Sequence, residues 1–149
     1  MRRDYERDDW TARASELFER FVTRHDFVYQ IQTMEVPIDV MWTIPAQPGL
    51  SLPITLGLQN DDELNFGVAD FWSHFFPFNE VAERFESYLD MWVSGDARIG
   101  ITGRLGRVMQ VRDGSGWKTV YGANRLPFVW RQPKEIIQND PTYSNSTIT

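Results

Sequence analysis

Within the stretch ADFWSHFFPFNE, Asp70 and His74 stand four residues apart, and five of the eight residues from Phe71 to Phe78 are aromatic. On a helical turn that spacing puts a carboxylate and an imidazole on one face. A carboxylate so placed can orient the imidazole for acid–base work or metal binding. A catalytic metal usually takes three protein ligands. The only other histidine, His25, precedes the first strand, so the remaining oxygen donors would have to come from Asp61, Asp62 or Glu63. The plainer expectation is that the rings fill space where a sheet meets a helix and His74 satisfies a local hydrogen bond. In between lies an exposed aromatic patch or the mouth of a pocket lined by Trp42, Asp70, Phe71, Trp72 and His74.

A second chemistry-bearing pattern is GITGRLGR, with Gly100, Gly103 and Gly106 at every third position and Arg104 and Arg107 beside them. Bare backbone amides with guanidinium groups suit an anion, and Arg98 and Arg112 lie close by in sequence. The spacing matches neither a P-loop nor GxGxxG, and glycines in a strand more often mark a bulge or a close backbone approach. The DDE run at 61–63 lacks the alternation of a calcium loop and reads as a solvated hairpin turn. DGSGW lacks the GxSxG pattern and joins two strands, so no serine nucleophile is expected.

These residues need elements to hold them. From Asp8 and Asp9 to Arg24, the positions Trp10, Ala14, Leu17, Phe18, Phe21 and Val22 form one stripe of a 3.6-residue period, which predicts an amphipathic helix. From Phe27 the period becomes two, predicting strands over 27–34, 36–44, 50–58 and 64–68. Pro53 argues that the third of these is an edge or bulged strand. A second amphipathic helix is expected from Glu80 to Ser94, with Asn79 as its cap and Gly95 as its stop. Beyond it ARIGITGRLGRVMQVR and WKTVYG read as two strands joined by DGSG, and LPFVW adds a further strand.

The expected fold is therefore α+β: one antiparallel sheet of about six or seven strands with two amphipathic helices on one face. Residues 1–132 are expected to form a single domain, and 133–149 a loosely held polar tail.

Composition narrows the function. The 149-residue chain has no cysteine, which excludes disulfides, thiolate nucleophiles and cysteine-ligated metals. The charged N-terminus leads into no apolar segment and no run is long enough to span a bilayer, so the expected location is cytoplasmic, with no membrane partner. The net charge of −6 disfavours nucleic acid. It also conceals an asymmetry: residues 1–96 carry 7 basic and 18 acidic side chains, whereas residues 97–149 carry 8 and 3. Interleaving of both halves in one sheet would mix those charges. No catalytic residue, metal site or cofactor is expected, and the leading expectation is a small acidic protein-interaction module, an adaptor, inhibitor or immunity-like binder whose partner is another protein or a second copy in a homodimer. The alternative is a small-molecule or anion-binding protein, with or without catalysis, with a pocket between sheet and helices near Trp72 and His74 and with Arg104 or Arg107 fixing the anion.

Overall fold

The computed structural model describes residues 2–32, 38–122 and 133–144. It is an α+β fold in the order α1 (Arg2–His25), β1 (Gln30–Gln32), β2 (Ile38–Ile44), β3 (Ile54–Gln59), β4 (Glu63–Val68), β5 (Phe71–Trp72), α2 (Phe78–Ser94), β6 (Ala97–Ile101), β7 (Arg107–Asp113), β8 (Gly116–Gly122) and β9 (Glu135–Ile137). The strands form two antiparallel sheets, ordered β1-β2-β3-β4-β5 and β8-β7-β6-β9, in place of the single sheet expected. Alternating hydropathy specifies which residues are extended and which face is buried. It does not specify which strand each one pairs with. The chain divides into two compact units, Met1–Gln47 with Leu52–Ser87, and Pro48–Ser51 with Tyr88–Thr149, and the boundary crosses α2.

In the first unit α1 lies on β2 and β3. Its stripe is buried as the periodicity requires, from Ala14 through Leu17, Phe18 and Phe21 to Val22, with Trp10 half-buried. The helix begins at Arg2 rather than at Asp8 or Asp9, so those aspartates are not at its N-terminus. It ends in a Schellman closure: Asp26 adopts φ 56° and the Phe27 amide donates to the Val22 carbonyl at 2.9 Å. Phe27 then packs edge-on to Phe21, the apolar contact that accompanies this cap.

The five-stranded sheet is most heavily covered at β4, whose six residues are all buried. Leu64, Phe66 and Val68 share one face; Glu63, Asn65 and Gly67 share the other. β3 is an interior strand between β2 and β4, because Pro53 falls just before its first residue and removes no ladder bond. The first turns of α2 sit beside α1, where Trp10 meets Phe78 with ring centroids 4.7 Å apart.

Glu86 of α2 accepts from Arg20 Nη2 at 2.9 Å and from Arg24 Nη1 at 2.8 Å. Burial favours the protonated carboxyl, but the bonds from Arg20 and Arg24 outweigh it and hold Glu86 below the ordinary carboxylate range. A carboxylate whose folded pKa is depressed stabilises the fold above its unfolded pKa, and that contribution is lost as pH falls through the folded value. Glu86→Gln is therefore expected to lower stability by about 1 kcal/mol at pH 7, a figure kept small because both arginines are substantially exposed. Urea unfolding repeated at about pH 3 should show the difference shrunken or gone; a difference that grows on acidification would contradict the clamp.

In the second unit α2 stops as expected: Gly95 takes φ 84° and the Asp96 amide donates to the Met91 carbonyl at 2.7 Å. ARIGITGRLGRVMQVR is two strands rather than one. β6 and β7 pair from Ala97↔Val111 to Ile101↔Arg107, and the glycine-rich middle makes the turn between them, where the Thr102 amide donates to the Gly106 carbonyl. DGSG joins β7 to β8 as predicted, with Asp113 opposite Gly116. LPFVW lies outside the described residues. The segment expected as a loose tail instead supplies β9, which pairs with β6, and a buried Asn139. β9 pairs with the sheet edge through its backbone, while the Gln138 and Asn139 amides donate to the carbonyls of Gly95, Gly49 and Val93, so the segment is held by polar groups.

Candidate functional site

The stretch around His74 is not helical, so the helical spacing of Asp70 and His74 does not apply. Phe71 and Trp72 pair with Val68 and Gly67, and Phe75 exchanges backbone bonds with Leu64 at 2.8 and 2.9 Å. The segment runs back along β4 with a period of two: Phe71, Ser73 and Phe75 are buried, whereas Trp72 is half-buried and His74 and Phe76 are exposed. Most of the aromatic density is core, and Phe71 and Phe75 are 2% and 7% exposed. Trp42 is core as well, edge-on to Phe18 and stacked under Tyr29 at 4.5 Å.

The outward residues meet the polar face of β4. His74 Nδ1 lies 2.7 Å from Glu63 Oε2, which also accepts from Asn65 Nδ2 at 3.1 Å. Asn65 Nδ2 donates to the Ser73 carbonyl, and the Ser73 hydroxyl accepts from the Phe66 amide. Asn65 Oδ1, fully buried, has no hydrogen-bond partner among the described residues. Only Asp61 and Asp62 belong to the expected turn, with Asn60 and Asp61 at positive φ; Glu63 is buried beneath His74. A carboxylate on Nδ1 orients an imidazole for proton transfer. Among the described residues no group of three or more His, Asp or Glu side chains is placed to hold a metal ion.

Trp72 lies across the glycines of β3 and β4. A Cβ at Gly67 would come within 2.7 Å of its ring, and Trp72 Nε1 donates to Gln59 Oε1 at 3.2 Å. Beside it opens a concavity of about 460 Å³ lined by Leu52, Pro53, Thr55, Gly67, Val68, Ala69, Asp70, Phe71 and Trp72. Three sequence-predicted residues, Asp70, Phe71 and Trp72, are thus brought together, and His74 sits at the Glu63 network. Arg104 and Arg107 belong to the second unit. Arg104 is exposed on the β6–β7 turn, and Arg107 Nη1 donates to the Gly103 and Gly106 carbonyls at 3.2 and 3.0 Å, bracing that turn.

One surface escaped the sequence reading, and a second was read only in part, since Arg98 and Arg112 were anion candidates but Trp117 was not. The first is β1, the outer strand of its sheet, exposed along its whole length. Val28 and Ile31 are 65% and 63% exposed, and Tyr29 39%. The Gln47 amide fixes the entry to this strand, donating to the Val28 carbonyl and accepting from its amide. The available signal was the absence of charge and proline from FVYQIQ, since exposed edges usually carry both. The second is the outer face of the β6–β7–β8 sheet, where Arg98 and Arg112 lie against Trp117.

The charge asymmetry follows the units. The first holds 7 basic and 16 acidic residues, a net −9; the second holds 8 and 5, a net +3. The mixing expected from an interleaved sheet does not arise, because each sheet is built from strands of its own unit.

Comparison with protein-family models, curated proteins and solved structures finds no match. The geometry defines an α+β protein of two antiparallel sheets. Among the described residues no helix is long and apolar enough to cross a membrane.

Proposed function

We propose that the protein is a non-catalytic interaction module that takes up an extended segment of a protein partner as an added strand along β1. The observation that carries this reading is the uncharged edge strand Gln30–Gln32, whose three residues are all exposed, preceded by the exposed Val28. An unpaired edge offers amides and carbonyls to any extended chain, and side chains at alternate positions supply specificity. Ile31 stands opposite Trp42, so an apolar residue on the added strand would extend the row that begins with these two. The net −9 of the unit that carries β1 favours a segment with basic residues and speeds its encounter.

The test uses two labelled ten-residue peptides, one alternating Val with Lys and the other alternating Val with Glu, followed by fluorescence anisotropy. The Val/Lys peptide is expected to bind and to weaken with added salt. Ile31→Lys is expected to reduce its affinity by about tenfold, or about 1.4 kcal/mol. Light scattering over a concentration series reports whether a second copy supplies the strand and forms a homodimer. Equal binding of both peptides, or no peptide binding and no self-association, would remove the basis of this reading. The concavity beside Trp72 favours the second reading, a small-molecule site, and a ligand there would quench Trp72 without responding to Ile31→Lys.

A further inference from the structure

We propose that Arg98, Arg112 and Trp117, on the outer face of the four-stranded sheet, form a binding site for a phosphate monoester dianion. The proposal is independent of β1. The register sets the face: Arg98 stands opposite Gln110, Gln110 opposite Thr119, and Arg112 opposite Trp117, so these side chains share one side of the sheet. The other side carries Ala97, Ile99, Met109 and Val111, all buried.

Both guanidinium carbons lie over the same indole, 4.1 Å from the ring centroid for Arg98 and 4.3 Å for Arg112. These distances are well inside the range of cation–π attraction, about 6 Å. The same geometry holds two like charges close together, which ordinary surface packing avoids. Among the described residues only one carboxylate answers them. Asp96 Oδ1 is 3.6 Å from Arg112 Nε, too far for a hydrogen bond, and Asp96 Oδ2 accepts from the Ser94 hydroxyl.

Arg98 is steered by a neutral relay instead. Its Nε donates to Gln110 Oε1 at 2.9 Å, and Gln110 Nε2 donates to Thr119 Oγ1 at 3.2 Å. Among the described residues the Nη nitrogens of both arginines have no hydrogen-bond partner. Desolvation, and after it the neighbouring Arg112, lower the basicity of Arg98.

The unused donors select the ligand. A carboxylate has two oxygens and saturates one guanidinium fork. A phosphate monoester has three terminal oxygens and nearly two negative charges at pH 7, enough to answer two forks at once. With guanidinium groups against the indole, the ring serves as a platform for the arginines rather than for a stacked base.

The site is tested by calorimetric titration of the whole protein with phenyl phosphate, inorganic phosphate and acetate at constant ionic strength. Both phosphates are expected to bind about tenfold or more tightly than acetate, and phenyl phosphate to weaken as pH falls through about 6, where its dianion takes up a proton. Phenyl phosphate tighter than inorganic phosphate indicates an ester; equal affinities indicate the phosphate group alone, and both outcomes support the site. The double variant Arg98→Gln/Arg112→Gln should lose at least tenfold in affinity. Lys118→Gln, on the opposite face, removes a positive charge and should change nothing. A circular-dichroism melt of each variant separates loss of binding from loss of fold, and Trp117→Phe, which keeps a ring, serves if the double variant melts early. Equal affinity for acetate and phosphate, no binding at all, or loss in Lys118→Gln equal to that in the double variant would overturn the proposal.

Discussion

Replacing Asn139 by alanine is expected to lower the free energy of unfolding of the second unit by about 3 kcal/mol or more. The side chain is 4% exposed and uses its full hydrogen-bonding capacity. Oδ1 accepts from the Ser51 amide at 2.8 Å and the Ser51 hydroxyl at 3.2 Å, while Nδ2 donates to the carbonyls of Gly49 at 3.0 Å and Val93 at 2.8 Å. Val93 lies in the last turn of α2, whose carbonyls have no helical partner. One amide thus joins the 49–51 loop, the end of α2 and the segment after β9. Alanine leaves three part-buried backbone groups without partners, each worth about 1 kcal/mol, the low end of the range for a buried group. Asn139→Asp keeps the shape but turns an oxygen towards the two carbonyls, so it should be at least as harmful at neutral pH. Urea unfolding together with hydrogen exchange at the Ser51 amide measures both. A loss below about 1 kcal/mol, with Ser51 still protected, would mean that other groups fasten the loop.

What could be read from the sequence was local. The α1 stripe, the Gly95 stop and the DGSG turn each depend on neighbours within a few residues, and each stands where periodicity and turn chemistry put it. The Asn139 contacts join residues 46 to 90 positions apart, and no spacing rule reaches that far. Pairing failed for the same reason: β9 completes a sheet whose other strands end at Gly122. The extended backbone of the aromatic stretch went unread for a different cause. Phenylalanine and tryptophan occupy both its inward and outward positions, so hydropathy shows no alternation although the backbone is extended. The partner of His74 is 11 residues upstream, and becomes predictable only once the chain is known to fold back along β4. The Trp117 site was nearer to hand. A two-residue turn at Gly114 and Ser115 requires Arg112 to face Trp117, and the alternation of β7 carries that face to Gln110.

The segregation of charge gives the two proposed surfaces opposite characters. The uncharged edge β1 is carried by a unit of net −9, where a basic segment is drawn in. The paired arginines belong to a unit of net +3, where an anion is drawn in. Added salt should therefore weaken both interactions by screening, although the whole-chain charge of −6 taken alone predicts that anion binding would benefit.

Phe71→Ala is expected to destabilise the first unit by about 3–5 kcal/mol, whereas Phe76→Ala should fall within about 0.5 kcal/mol of the parent. The two residues are five apart in one aromatic run, yet their exposures are 2% and 56%. Phe71 pairs with Val68 and packs against Phe66 at a centroid separation of 6.2 Å, so its removal opens a cavity in the core face of the sheet. Phe76 follows the last β4 contact, made by Phe75, and its ring is mostly in solvent. Phe71→Leu separates volume from ring chemistry: it should restore much of the stability if packing alone sets the loss. Urea unfolding followed by far-ultraviolet circular dichroism gives all three values. Near-equal losses for Phe71→Ala and Phe76→Ala would mean that the run does not alternate between core and solvent. The exposed side chain of His74, which depends on that alternation, would then need another explanation.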